Sequence, residues 1–307
     1  MNTSLKLAGF GLGLVAVFGA AVGIGSAVGP VGPAVESSAD DHAMGTEASS
    51  GHGDEAAHEA GATALPAGLT VSESGYTLEL ADRSLPEGAA TPVAFRILGP
   101  EGDPVTEYDV DHDVDLHLIA VRRDLTGFQH VHPDLGADGV WRVPLALDPG
   151  AWRLFADFVP SALGDKLTLG ADLAVPGEFA PASLPAETRT AEVDGFTVVL
   201  TGELEPGRES ELTLSVSRAG RPVTDLQPYL GAYGHLVVLR DGDLAYLHAH
   251  PMEEPGGAAG PGPDVRFATT APSAGTYRLF LDFKHDSVVR TAAFTVATTT
   301  AHEEGGS

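Results

Sequence analysis

Arg153-Leu154-Phe155-Ala156-Asp157-Phe158 and Arg278-Leu279-Phe280-Leu281-Asp282-Phe283 share one pattern: an apolar run of strand length interrupted by a single aspartate. A carboxylate inside such a run is costly to bury without a partner, so finding it in both stretches marks one unit used twice. The correspondence extends outward. Gly75-Tyr76-Thr77-Leu78-Glu79-Leu80 matches Gly195-Phe196-Thr197-Val198-Val199-Leu200, and Pro104-Val105-Thr106 matches Pro222-Val223-Thr224. His117-Leu118-Ile119-Ala120-Val121 matches His235-Leu236-Val237-Val238-Leu239, in the same order along the chain. An internal repeat decides architecture before other signals do, and two units are too few for a solenoid. Tandem domains are expected at 66–178 and 188–297, joined by a Pro/Ala-rich linker near Pro181–Glu187.

Within the first copy, short apolar runs at Tyr76–Leu80, Pro92–Ile97, Leu116–Val121, Trp141–Leu147 and Trp152–Phe158 are separated by Gly, Pro and Asp turns. Runs of this length and spacing predict β-strands, and many of them predict a sandwich. The expected fold class is all-β: two tandem β-sandwiches after an N-terminal transmembrane helix and a disordered tether. Leu7–Gly29 is 23 residues without a charge, against the roughly 20 that span a bilayer. Lys6 precedes it and acids follow, so the positive-inside bias predicts a single-pass anchor with the bulk of the chain extracytoplasmic. Cleavage at Gly25-Ser26-Ala27 is the rival and yields a secreted protein. Residues 30–65, rich in Gly, Ala, Ser and acids, predict the tether, and 298–307 a disordered tail.

Charge and composition narrow the function. With 17 Lys+Arg against 43 Asp+Glu and a net charge of −26, the chain repels phosphates, so no nucleic-acid partner is expected. No cysteine is present, which excludes disulfides, thiolate metal sites and cysteine nucleophiles. Any metal falls to His, Asp, Glu or the three Met, too few for a thioether-rich site. No HExxH, GxSxG or P-loop pattern occurs, and catalysis is not expected.

Six of the 12 histidines fall into a duplicated constellation: His117 then His130-Val131-His132-Pro133, and His235 then His248-Ala249-His250-Pro251. Residues i and i+2 of a strand share a face, so each His-x-His pair projects together. Taking Asp241-Gly242 as a two-residue turn pairs Arg240 with Asp243 and places His235 opposite His248, with His250 one diagonal away. A turn near Arg123-Asp124 gives the first copy a similar register. Each domain is thereby expected to hold its own three-His metal site. Asp157 and Asp282 are read as fourth ligands or as acceptors that orient a ligating imidazole. His285 is an additional candidate in the second copy, where the first has Pro160. The ladder Asp109, Asp111, His112, Asp113, Asp115 reads as a solvated edge strand without a counterpart. His42, His52 and His58 lie among acids in the tether.

Imidazole with carboxylate suits Cu(II), Zn(II), Ni(II) or non-haem iron, and the affinity order favours a copper ion, with zinc as the alternative. The segments His117-Leu118-Ile119…Phe128-Gln129-His130-Val131-His132-Pro133 and Gly231-Ala232-Tyr233-Gly234-His235…His248-Ala249-His250-Pro251, with Phe283-Lys284-His285-Asp286, resemble secreted or membrane-anchored actinobacterial heavy-metal-binding proteins. The domains are also similar to the immunoglobulin-like sandwiches of CopC-type copper-resistance proteins, without that family's ligand motif near a mature N-terminus. The resemblance implies extracytoplasmic metal sequestration or delivery to a metal-transport partner protein. The competing expectation is a cell-surface structural or interaction protein with tandem sandwiches and no metal role.

Overall fold

The computed structural model describes residues 65–253, 255–257 and 260–298. The apolar run at 7–29, the tether up to residue 64 and the tail beyond Thr298 lie outside them, as do His42, His52 and His58. Among the described residues no helix is long and apolar enough to cross a membrane. Both copies of the repeat belong to one compact unit.

The first copy comprises β1 (Ser72–Glu73), β2 (Tyr76–Leu80), β3 (Gly88–Leu98), β4 (Tyr108–Asp109), β5 (Leu116–Arg122), β6 (Gln129–Val131), β7 (Asp134–Leu135), β8 (Trp141–Leu147), β9 (Gly150–Pro160) and β10 (Leu167–Val175). The second comprises β11 (Thr190–Val193), β12 (Phe196–Thr201), β13 (Glu209–Arg218), β14 (Arg221–Pro222), β15 (Gly234–Arg240), β16 (Tyr246–Leu247), β17 (Ala249–Pro251), β18 (Asp264–Thr270), β19 (Thr276–His285) and β20 (Val288–Ala297). In the first copy the sheets run β1-β2-β3-β8-β7 and β10-β9-β5-β6; in the second, β11-β12-β13-β18-β17 and β16-β15-β19-β20. All these pairings are antiparallel. This Greek-key order is that of an immunoglobulin-like sandwich, so the chain is two such sandwiches in tandem.

Burial along the strands explains the sequence pattern. β8 alternates buried and exposed residues, as expected where one face meets water. β5 and the middle of β19 are instead buried on both faces. Leu116, Leu118 and Ala120 enter the first core, and Leu236, Val238, Leu279, Leu281 and Phe283 the second. The alternate residues Ile119, Val121 and Phe155 meet Val237, Leu239 and Phe280 in a third apolar cluster between the sandwiches. The contact is isologous, as in a two-fold dimer. Phe128 stacks on Phe280 with centroids 4.0 Å apart, and the equivalent pair, Tyr246 on Phe155, is at 5.6 Å. The segment after Leu65 runs beside both sandwiches: Gly68 N–H bonds Thr168 O, and Ala67 O accepts from Tyr246 N–H. Gly170 must lack a side chain there, because a Cβ would stand 2.0 Å from the Gly68 carbonyl oxygen.

The registers differ from expectation. The turn after β15 holds four residues, Asp241–Leu244, because Arg240 N–H bonds Ala245 O and the Asp243 carboxylate takes both the Arg240 guanidinium and the Ala245 N–H. Val238 therefore faces Leu247, a shift of two residues that removes the predicted His235–His248 pairing. β17 then leaves for the other sheet, where His250 faces Ala268 of β18. In the first copy Ile119 faces His130. There the chain stays on β5 two residues longer, because the Gln129 side-chain amide clamps both the N–H and C=O of Ala146 (2.9 and 2.8 Å). The His-x-His segment is thus the crossing between the two sheets of each sandwich.

Candidate metal centre

Strand alternation puts His117 and Asp157 directly across from each other on β5 and β9, and His235 and Asp282 likewise on β15 and β19. All four share the parity of the interface residues, so they line the seam between the sandwiches. His285, three residues beyond Asp282, falls on the opposite parity. It lies against Phe196 between Asp225 and Asp286, at 3.2 and 3.1 Å, and does not join the other histidines. The expectation that it adds to the centre is corrected on that ground.

Among the described residues one group of three ligand-type side chains converges: His117, His130 and His132, with ligand atoms within 4.8 Å of one another. His235 stands beside it rather than in a cluster of its own, its ring 5.9 Å from His117 and 6.0 Å from His130. His248 and His250 stack on each other at 6.3 Å. The expectation of one trio per domain is therefore replaced by a single composite centre to which both domains contribute.

The hydrogen bonds set the imidazoles' orientation. His117 Nε2 donates to the Asp111 carbonyl (3.2 Å), and His130 Nδ1 donates to Asp282 Oδ2 (2.8 Å). Both partners can only accept, so these nitrogens carry a proton. The remaining nitrogens, His117 Nδ1 and His130 Nε2, then face each other 3.0 Å apart. His132 Nε2 is buried beside them without a hydrogen-bond partner. Asp282 is itself held by the Thr291 hydroxyl (2.5 Å) on its other oxygen. It belongs to the second sandwich yet orients a histidine of the first, whereas the sequence suggested that each aspartate serves its own domain.

Burial and the neighbouring imidazoles hold His117 down to about 2. Burial and His130 lower His132 to about 4, and burial with His130 lowers His235 to about 4. These rings are unprotonated at neutral pH, the form that binds metal.

The other half of the seam is built differently. Asp157 takes the Thr168 hydroxyl (2.8 Å) and Lys166 Nζ (3.0 Å), and Lys166 also reaches Asp111 at 2.8 Å. His248 Nε2 lies 3.1 Å from Thr168 Oγ1. A cavity of about 30 Å³ runs between the halves, lined by His112, His117, His130, Asp157, Lys166, His235 and His248 among others. Lys166, Thr168 and Thr291 carry no motif that singles them out in sequence. His112 lay in the acidic ladder read as a solvated edge. It instead occupies a tight turn, Asp111–Val114, with φ of +49°, and its ring meets His235 at 5.1 Å. The turn does have a counterpart, Tyr229–Ala232. A histidine in the left-handed region is uncommon for a non-glycine residue.

The chain belongs to the family described as a domain of unknown function (DUF8832), which matches residues 70–175 and again 191–300, once per sandwich. No curated protein matches the chain. Similar solved structures include FdeC, an Escherichia coli adhesin, at 16% identity over 75% of this chain and 65% of that one, with a TM-score of 0.25. The Yersinia pseudotuberculosis adhesin InvE is 14% identical over 75% and 60%, with a TM-score of 0.23. A Salmonella alpha-2-macroglobulin mutant is 16% identical over 76% and 15%, with a TM-score of 0.26. The chain spans less than two thirds of each of them, and at these scores the likeness carries no argument about function.

Proposed function

We propose that this tandem DUF8832 chain is a non-catalytic metal-binding protein that holds a divalent transition-metal ion at His117, His130 and His132 for sequestration or delivery. One observation carries the reading. Two imidazoles, each giving its outer N–H to an acceptor, turn their other ring nitrogens toward each other 3.0 Å apart, with the unpartnered His132 Nε2 alongside. Facing lone pairs repel unless a cation lies between them. An ion about 2.0–2.1 Å from each tetrahedral nitrogen ligand sets those nitrogens about 3.3 Å apart, close to the spacing of the pair. Asp282 and the Asp111 carbonyl supply the outer acceptors typical of histidine metal sites. An all-imidazole set favours copper(II), with zinc(II) as the alternative. A cavity of about 30 Å³ suits an ion with a water molecule better than an organic substrate. Leu7–Gly29 fits an anchor that keeps the site outside the membrane, where a metal-transport protein takes the ion.

The test is copper(II) and zinc(II) titration of the full-length chain beside a His117→Ala/His130→Ala/His132→Ala variant. Loss of one tightly bound ion in the variant supports the reading, and equal uptake by both proteins overturns it. A second reading, a cell-surface structural or interaction protein with no metal role, draws on one specific observation. The His130–Asp282 pair also closes without an ion if His130 is an imidazolium that donates to Asp282 and to His117. Chelators and histidine substitution then leave partner binding unchanged.

A further inference from the structure

We propose that the seam takes one ion per chain and not two, because Lys166 is the built-in cation of its second half. This deepens the metal-binding reading and rests on it. The two halves are related by the exchange that pairs Phe128 with Phe280 and Tyr246 with Phe155. In both, the buried aspartate takes a cross-strand threonine hydroxyl on one oxygen, Asp282 from Thr291 and Asp157 from Thr168. The second oxygen differs. Asp282 receives His130 from the opposite sandwich at 2.8 Å, but Asp157 receives Lys166 Nζ from its own at 3.0 Å. His248, the counterpart of His130, is left on the threonine oxygen 3.1 Å away. That hydroxyl has only one proton and gives it to Asp157, so it accepts from His248.

Lys166 therefore does in one half what an ion does in the other: it is a positive charge held between ligand-type groups. Its ammonium bridges two carboxylates, the buried Asp157 and the half-buried Asp111, and offsets their like charges. Burial alone lowers an ammonium's pKa, but Asp157 and Asp111 outweigh it and raise that of Lys166, so the charge persists at neutral pH. A divalent ion entering beside His248 meets that fixed charge. His250 stacks on His248 at 6.3 Å and lines the same cavity, although β17 pairs on the other sheet, so both rings are changed together in the test.

The prediction concerns ion counts by mass spectrometry after desalting the full-length chain, read as differences between variants so that uptake by other histidines cancels. His248→Ala/His250→Ala is expected to hold as many ions as the wild type. Lys166→Met, which leaves Asp111, Asp157 and His248 facing one another, is expected to hold one more, lost again in Lys166→Met/His248→Ala. Lys166→Arg keeps the charge and gains none. Loss of an ion in His248→Ala/His250→Ala overturns the proposal, as does a folded Lys166→Met that gains none. If Lys166→Met does not fold, the double-histidine variant still decides. If removing the His117, His130 and His132 rings loses no ion, the metal-binding reading itself fails, a result distinct from all of these.

Discussion

Asp282→Asn separates a centre shared between the sandwiches from two centres kept within them. The Asp282 side chain is 4% exposed and accepts from Thr291 Oγ1 at 2.5 Å and His130 Nδ1 at 2.8 Å. Hydrogen bonds to a charged group contribute about 1.5–3 kcal/mol. A double-mutant cycle of Asp282→Asn with His130→Ala, by urea unfolding of the metal-free protein, should therefore give a coupling energy of that size. Asparagine also removes the charge and turns one of the two accepting oxygens into an N–H donor, so it cannot accept from both Thr291 and His130, and such outer-partner changes lower metal affinity about 10–100-fold. Asp157→Asn touches Lys166 and Thr168 rather than the three converging histidines, so its copper affinity should match the wild type even though it destabilises the fold. The measurements are competition titrations with a chromophoric chelator and parallel urea curves. A coupling energy near zero refutes the cross-domain pair. An affinity lost in Asp157→Asn and kept in Asp282→Asn shows that each aspartate serves its own domain after all.

Acid should destabilise the protein. His117 and His235, held down to about 2 and about 4, are neutral in the fold and take up protons on unfolding below the free value of 6.5. The unfolded chain then binds more protons, so stability falls with pH, and each ring costs about 2 kcal/mol between roughly pH 7 and pH 5. Urea midpoints at the two pH values check this, and a flat profile sinks it. Phe280→Ala removes a buried ring stacked on Phe128 at the seam and should cost about 3–5 kcal/mol. Calorimetry should show the two sandwiches melting apart, whereas a loss below about 1 kcal/mol counts against a seam that depends on this packing. Gly170→Ala places a Cβ against the Gly68 carbonyl and should loosen the Gly68–Thr168 and Gly170–Thr70 backbone bonds. Faster amide exchange at Gly68 and Gly170 is the readout, and unchanged protection refutes the argument.

The sequence alone determines the duplication, the strands and the sandwich class. Alternating runs such as Trp141–Leu147 and apolar blocks such as Leu116–Val121 depend on local side-chain periodicity, which survives in any tertiary arrangement. It also singles out the six duplicated histidines and the two buried aspartates. How these pair is decided elsewhere. In two similar copies, His130 with Asp157 and His130 with Asp282 satisfy the sequence pattern equally well, and only the docking of the doubly buried faces around Phe155 and Phe280 selects the second. Register follows the same rule. Asp243 widens a turn by binding Arg240 and the Ala245 N–H, and Gln129 holds one His-x-His segment on its sheet while the other crosses early. Lys166 ends between Asp111 and Asp157 because the β9–β10 pairing and the turn at Asp111–Val114 bring distant segments together. Such side-chain and domain contacts join residues far apart in the chain, and no local spacing records them.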